Sequence, residues 1–372
     1  MKYIFINSVY GVRSTGKIIA SQCKTLMEQG NECLVAYARE SIDDDVPKFR
    51  IGSPIDYKIH AIESRLLDNH GLASKKATIE FLKQVDQYQP DVIWMHNIHG
   101  YYLNYEILFD WLRQHPRIIK KWTLHDCWAF TGHCAYYTMA NCDRWMTGCH
   151  HCSQLKTYPI SIGFDNSANN YARKKKAFAN MKNLTLITPS QWLADQTRKS
   201  FLSEYAVSVV NNSIDIDVFK PTTSDIRENY GFEGKFIVLG VAVGWEETKG
   251  YPDMMELRKL LDDKYVMVMV GLTQKQIHEL PDGIIGIEKT KDQKQLAELY
   301  SAADVFVNPT HQDNYPTVNL EARACGTPVV TYNAGGSPES AGYEHVVPVG
   351  DVYALAEEIE KIRMEEIGKQ TI

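Results

Sequence analysis

The stretch "DVFVNPTHQDNYPTVNLEARACGTPVVTY", residues 304–332, reads as strand, loop, helix and strand. Its first apolar run ends at Pro309, and "HQDNYP" follows as a loop. From about Thr317 the pattern turns helical, runs to Cys325 and stops at Gly326, with Pro328 just beyond. "TPVVTY" then opens the next apolar run. Short, continuously apolar strands separated by helices predict a parallel sheet covered on both faces.

The alternation extends in both directions. Downstream of "SIDIDVFKP" (213–221) stand "FIVLGVAV", "YVMVMVG" and "GIIGI". Upstream, strands are expected at "YIFINSV" (3–9), Leu34–Ala38, "DVIWMHN" (91–97), "IKKWTLHD" (119–126), "LTLITPS" (184–190) and "AVSVVNN" (206–212), with helices such as 57–67 and 77–88 between them. A chain of 372 residues is too long for one compact core. The expectation is an α/β protein of two doubly wound, Rossmann-like domains, 1–212 and 213–372, facing across a cleft that holds the active site.

At 44% apolar and 23% charged residues, the composition is that of an ordinary globular protein. The net charge of −6 hides an imbalance: residues 1–212 carry 25 Lys/Arg against 19 Asp/Glu, and residues 213–372 carry 15 against 27. Only the first half suits an anionic surface through its overall field. The leading "MKYIFINSVYG" is too short for a signal peptide, and no run approaches a membrane span. A cytoplasmic location with reduced thiols is the expectation.

Ligands of such sheets bind beyond the carboxyl ends of the strands. There the chain sets Asp313 in the loop and Glu321 about one turn into the helix. Carboxylates accept hydrogen bonds from hydroxyls, so Glu321 suits a ribose and Asp313 a sugar held beyond phosphates. The amides of Thr317, Val318 and Asn319, at the start of the helix, suit a diphosphate. On spacing alone Glu321 equally fits a helix-dipole partner and Asp313 a loop cap. "YGVRSTGK" (10–17) reads as a Gly-rich turn before the first helix, where Gly16 would complete a phosphate site. It has neither the GxxxxGK[ST] nor the GxGxxG spacing.

"DNYPTVNLEARACGTPVVTYNAGGSPE" (313–339) resembles the signature of retaining family 4 glycosyltransferases of the GT-B fold: an acid, seven residues, a Glu, then A-x-G-x-P-V-V and G-G-x-x-E. The resemblance implies that Glu321 binds the nucleotide ribose. It puts Asp313 where the family has a glutamate, one methylene longer. Lys249 in "GWEETKGYPD" matches the family's Lys-Gly and is expected against the donor diphosphate. The usual arginine is missing, and Val243, Gly244 and Trp245 stand there instead. His125, ending "KWTLHD", would approach the donor sugar. Asn97 and His99, in "NIHGYYLNYE", would lie on the acceptor side.

The implied activity is transfer of a hexose from a nucleotide diphosphate sugar to a glycan or lipid-linked acceptor in surface polysaccharide synthesis. It needs no cofactor for catalysis and no nucleic acid partner. Two alternatives stay open: a sugar-nucleotide epimerase of the same architecture, and a catalytically silent nucleotide-sugar-binding protein, which the missing arginine suggests.

Three further segments carry expectations. The Cys-rich insert 125–152 spaces Cys134, Cys142, Cys149 and Cys152 as C-x7-C-x6-C-x2-C, which suits a structural zinc, with free thiols as the alternative. "YARKKKAF" (171–178) lines up four cations for a peripheral contact with the inner face of a membrane. "DVYALAEEIEKIRMEEIGKQTI" (351–372) supplies one final helix, where GT-B chains usually end in a long helix crossing back to the first domain.

Overall fold

The computed structural model describes residues 1–370, with side chains as far as Ile367. The chain forms two compact units, Met1–Asn211 and Asn212 onward.

In the first unit, strands β1 (Lys2–Ile6), β2 (Glu32–Tyr37), β3 (Lys48–Arg50), β4 (Val92–Met95), β5 (Ile119–Thr123), β6 (Leu184–Thr188) and β7 (Val207–Val209) form one sheet. Its order is β3-β2-β1-β4-β5-β6-β7, and every pairing is parallel. Helices α1 (Arg13–Glu28), α2 (Pro54–Leu67), α3 (Lys75–Tyr88), α4 (Tyr105–Gln114) and α5 (Ser167–Phe178) are among those that cover it. In this sheet β3 was absent from the sequence reading, as was the last strand of the other sheet, His345–Val347; three residues carry too little pattern to show.

The second unit holds β8 (Phe236–Val241), β9 (Tyr265–Val270), β10 (Ile284–Ile287), β11 (Val305–Asn308), β12 (Val329–Tyr332) and β13 (His345–Val347), in the order β10-β9-β8-β11-β12-β13. These strands are also all parallel. Every residue of "YVMVMV" in β9 is buried, because helices cover both faces of the sheet. Val238 and Met267 belong to the core on one side, and Leu239 and Val268 to the core on the other. The alternation of side chains along a strand divides the two.

In each sheet the strand order reverses once, between β1 and β4 and between β8 and β11. Loops leaving the carboxyl ends of such a pair diverge to opposite faces and open a crevice. Lys249 follows β8 and Asp313 follows β11, so both sit at the second unit's reversal point.

The core at β8 sets the stability of that unit. Leu239→Ala removes a fully buried side chain and is expected to cost about 2–5 kcal/mol. Urea unfolding monitored on the full chain measures it. A loss below about 1 kcal/mol would show that this strand is not central to the core.

Candidate active site

Beyond β8 the chain makes a single 3₁₀ turn, Glu247–Lys249, and passes through Gly250 at φ +75° into the helix Tyr251–Leu260. A side chain at Gly250 would lie 2.2 Å from the Pro309 carbonyl oxygen, so only glycine lets this turn close on the end of β11. Two hydrogen bonds continue the contact: the His311 amide donates to the Thr248 carbonyl (3.0 Å), and Thr310 Oγ1 donates to the same oxygen (3.2 Å). From the other side, Gly335 at φ +57° packs where a Cβ would be 2.0 Å from the Asp313 carbonyl, which also accepts the Gly336 amide (3.1 Å).

These contacts bring Lys249 Nζ to 2.6 Å from Asp313 Oδ2. Asp313 Oδ1 accepts the Asn314 amide at 2.9 Å. The pair is half-buried, a range in which such contacts add roughly 0–1 kcal/mol. Its position is therefore set by the backbone beneath it.

The helix after the loop spans Thr317–Ala324, with Cys325 as its C-cap and Gly326 at φ +87°. Its N-cap is Pro316, whose side chain makes no capping hydrogen bond. Thr317 and Val318 are half-buried. Asn319 is fully buried, and its side chain is committed to the fold: Oδ1 accepts from Asn308, and Nδ2 donates to Ser337 and Ser340. Glu321, half-buried in the second turn, accepts a hydrogen bond from the Tyr300 hydroxyl (3.1 Å). Burial, reinforced by the charge of Glu321, raises the Tyr300 pKa well above its usual value, so Tyr300 stays a donor.

Sequence reasoning missed a group two residues from Asp313. His311 Nε2 donates to Asp253 Oδ2 (2.9 Å), and the Tyr332 hydroxyl donates to Asp253 Oδ1 (2.7 Å). The hydrogen bond to Asp253 raises the His311 pKa. Burial alone would raise the Asp253 carboxyl, but its bonds from His311 and Tyr332 outweigh that and lower it. "THQD" and "GYPD" flank the two motifs that were read, so His311 and Asp253 lay within sight of them.

In the first unit, His125 follows β5 and shares a hydrogen bond with His96 (Nε2 to Nδ1, 3.0 Å). Burial pushes its pKa down to about 4, leaving a neutral imidazole at pH 7. His99 is buried, with Nε2 on Asp126 (3.0 Å) and Nδ1 against the Tyr158 hydroxyl (3.2 Å). Asn97 is half-buried; its amide donates to Asn7 Oδ1 (3.2 Å) and its carbonyl accepts from Tyr102 (2.7 Å). Gly16 departs from expectation. The helix α1 already starts at Arg13, so Gly16 lies inside its first turn, its carbonyl accepting the Gly11 amide (2.9 Å). The turn residue is Gly11, at φ +71°.

Two expectations need correction. Cys134, Cys142, Cys149 and Cys152 do line one small pocket, yet among the described residues no three His, Cys, Asp or Glu side chains are arranged to hold a metal ion. Cys149 Sγ instead accepts the Gly132 amide (3.1 Å). The segment is ordered by apolar packing, with the buried Trp145 ring set on Phe130 (5.2 Å) and stacked on Tyr137 (4.8 Å). Likewise Arg173–Lys176 is not one cationic face. Arg173 makes a two-pronged bond to Glu106 (2.8 and 2.7 Å), and Lys174 is buried, donating to the Trp128 and Thr131 carbonyls.

The raised pKa of His311 has a consequence for stability. A histidine whose native pKa lies above its unfolded value stabilises fully below the unfolded value, 6.5, and that contribution fades as pH rises through the native one. Thermal melts of wild type and His311→Gln at about pH 5.5 and about pH 8.5 are expected to differ more at the lower pH. An equal difference at both would show that protonation of His311 adds nothing to stability.

Comparison with known proteins fits this geometry. Residues 222–370 match the family described as Glycosyl transferases group 1. Over 261 residues the chain is 28% identical to WcaC of Escherichia coli (strain K12), whose name places it in colanic acid biosynthesis as a glycosyl transferase. That match takes in 67% of this chain and 62% of WcaC, so the chain spans less than two thirds of that relative's length. Sucrose-phosphate synthase from Thermosynechococcus elongatus superposes with a TM-score of 0.70 at 18% identity, covering 98% of this chain and 90% of that one. HepE of Anabaena, solved in complex with UDP, gives 0.66 at 16% identity, covering 98% and 91%. The chain has the GT-B fold, and its residues 222–370 are a glycosyl transferases group 1 domain.

Proposed function

We propose that the chain is a retaining glycosyltransferase, moving a hexose from a nucleotide diphosphate sugar to a glycan or lipid-linked acceptor in surface polysaccharide synthesis. The observation that carries this is the Lys249–Asp313 contact at the reversal point of the second sheet, followed directly by the helix Thr317–Ala324, which carries Glu321. The polysaccharide role in the name of WcaC and the UDP held by HepE, a protein of the same fold, support it.

In this reading the diphosphate replaces Asp313 as the counter-ion of Lys249. The exchange is cheap, because a half-buried ion pair is worth at most about 1 kcal/mol and the diphosphate brings more charge. Asp313 then accepts from hydroxyls of the sugar, and Glu321 from those of the ribose. The amides of Thr317, Val318 and Asn319 face the phosphates, where the positive end of the helix favours an anion. The acceptor is assigned to the carboxyl ends of the first unit's strands. The acceptor oxygen bonds to the anomeric carbon on the face the phosphate leaves; the carbon–phosphate oxygen bond breaks, and the acceptor proton passes to the departing phosphate. Lys249 and the amides offset the charge that builds on the leaving group, so catalysis is assigned no cofactor.

The test is release of nucleotide from a panel of nucleotide sugars, with and without a glycan acceptor, and the anomeric configuration of the product by NMR. Lys249→Ala is expected to lower kcat by about 10²–10³-fold, and Glu321→Ala to act chiefly on the donor KM. Wild-type kinetics in both variants would overturn the site. An inverted product would overturn retention alone.

A further inference from the structure

Arg39 stands two residues beyond β2, at the carboxyl ends of the first unit's strands. Its amide donates to the Ser8 carbonyl (3.0 Å), which ties it to the loop leaving β1. The side chain is half-buried, and its Nε is buried with no hydrogen-bond partner among the described residues. Glu40, next in sequence, pairs with Arg13 instead (3.0 Å). What Arg39 does meet is aromatic: its guanidinium carbon lies 5.5 Å from the centre of the Tyr57 ring. A guanidinium N–H withdrawn from water and left unpaired costs stability, and the planar fork of arginine matches a carboxylate or a phosphate.

From Arg39 a row of aromatic rings leads to the loops beyond β4 and β5. Tyr57 meets Tyr101 edge to face (5.6 Å), and Tyr101 meets Tyr158 in the same way (6.3 Å). Tyr101 is held at φ +70°, a left-handed conformation rare for a bulky residue, and such positions gather at ligand sites. The row ends at Tyr158, 44% exposed, whose hydroxyl meets His99, and His99 in turn meets Asp126 (3.0 Å). Asp126 stays a carboxylate: burial would raise its pKa, but His99 and the Trp128 amide beside it lower it. The two ends of the row therefore differ in charge. The ionic charges acting on the Tyr101 hydroxyl are the guanidiniums of Arg39 and Arg65, whereas Tyr158 feels Asp126 as well as Arg39. An anion is favoured at the Arg39 end and opposed at the Asp126 end, where the carboxylate accepts hydrogen bonds from neutral hydroxyls.

We propose that Arg39 and the Tyr101 hydroxyl hold an anionic group of the acceptor glycan, a carboxylate or a phosphate, while Tyr158 and Asp126 take the neutral sugar beside it. That the ligand is an acceptor rests on the transferase reading; the anion site itself does not. The test is titration of the full chain, without donor, by calorimetry or NMR. Three probes are used: a tetrasaccharide containing glucuronate, the same glycan with its carboxyl reduced to the alcohol, and that reduced glycan carrying a terminal phosphate. At least one charged probe is expected to bind about tenfold or more tightly than the neutral one, and which of them does so tells carboxylate from phosphate. Arg39→Gln is expected to bring the charged probe within about threefold of the neutral one, and Arg39→Lys to recover part of the difference. Lys83→Gln, an exposed cation on α3, should bind as wild type, which excludes a general effect of charge. Should Arg39→Gln melt early, Tyr101→Phe removes one hydroxyl and is expected to lose about threefold or more for the charged probe alone. No binding by the wild type, equal binding of charged and neutral probes, or a preference that survives in both Arg39→Gln and Tyr101→Phe overturns the proposal. Charged glycan bound through Arg39, with no turnover from any nucleotide sugar, would overturn the transferase reading and leave the anion site standing.

Discussion

The candidate site depends on one backbone constraint: the turn after β8 and the loop after β11 are held against each other main chain to main chain. Thr248 offers its carbonyl to the amide of His311, Gly250 presses on Pro309, and Gly335 presses on Asp313 from the far side. The salt bridge between Lys249 and Asp313 is the visible result and a poor candidate for the cause. Half-exposed charges gain little in water, and the two side chains lose rotamer entropy when they meet. The glycines do more. At two positions a Cβ would sit about 2 Å from a carbonyl oxygen, a clash that no rotamer relieves. The Lys-Gly and Gly-Gly motifs are thus packing requirements first, and the chemistry of Lys249 and Asp313 rests on them.

That local arrangement has to work against the domain that carries it. Residues 213–372 hold 27 acids against 15 bases, a balance that repels a diphosphate at long range. Screening limits that repulsion to about 8–10 Å at physiological salt. Inside that distance the nearby charges are the Lys249 ammonium and the positive end of the helix Thr317–Ala324. Net charge is therefore no guide to what these few ångströms favour.

The stop at Gly326, the strands on either side and the two acids were all readable in the sequence, because each depends on neighbours within one or two turns. What stayed hidden depends on partners far apart along the chain. Asp253 meets His311 at 58 residues' separation and Tyr332 at 79, and no local pattern reports such a meeting. The Cys-rich insert was misread for a related reason. Its cysteines are regularly spaced, but among the described residues they form no metal-holding group, and Trp145 packs on Phe130 and Tyr137 beside them. In "RKKK", charge was visible and burial was not: Lys174 passes under Trp128, its ammonium 3.6 Å from the ring centroid, and burial draws its pKa down to about 7.

The departures from the family's pattern belong together. Where the resemblance leads one to expect an arginine, the chain places Val243, Gly244 and Trp245, and Trp245 is spent on packing: its ring lies under Gly240 and its Nε1 donates to the Val270 carbonyl (2.9 Å). Another hydrogen bond, from Gln276 to the Trp245 carbonyl (2.8 Å), pins the same segment. The segment after β8 therefore gives up a cation and gains a rigid base for the turn that carries Lys249. The shorter acid, Asp313, reaches Lys249 directly from a loop fixed by Gly335 and Gly336. A glutamate on the same backbone would carry its carboxylate one methylene further and have to fold back to make the same 2.6 Å contact. Tryptophan at 245 and aspartate at 313 thus both stand on segments that hydrogen bonds to neighbouring chain hold in place.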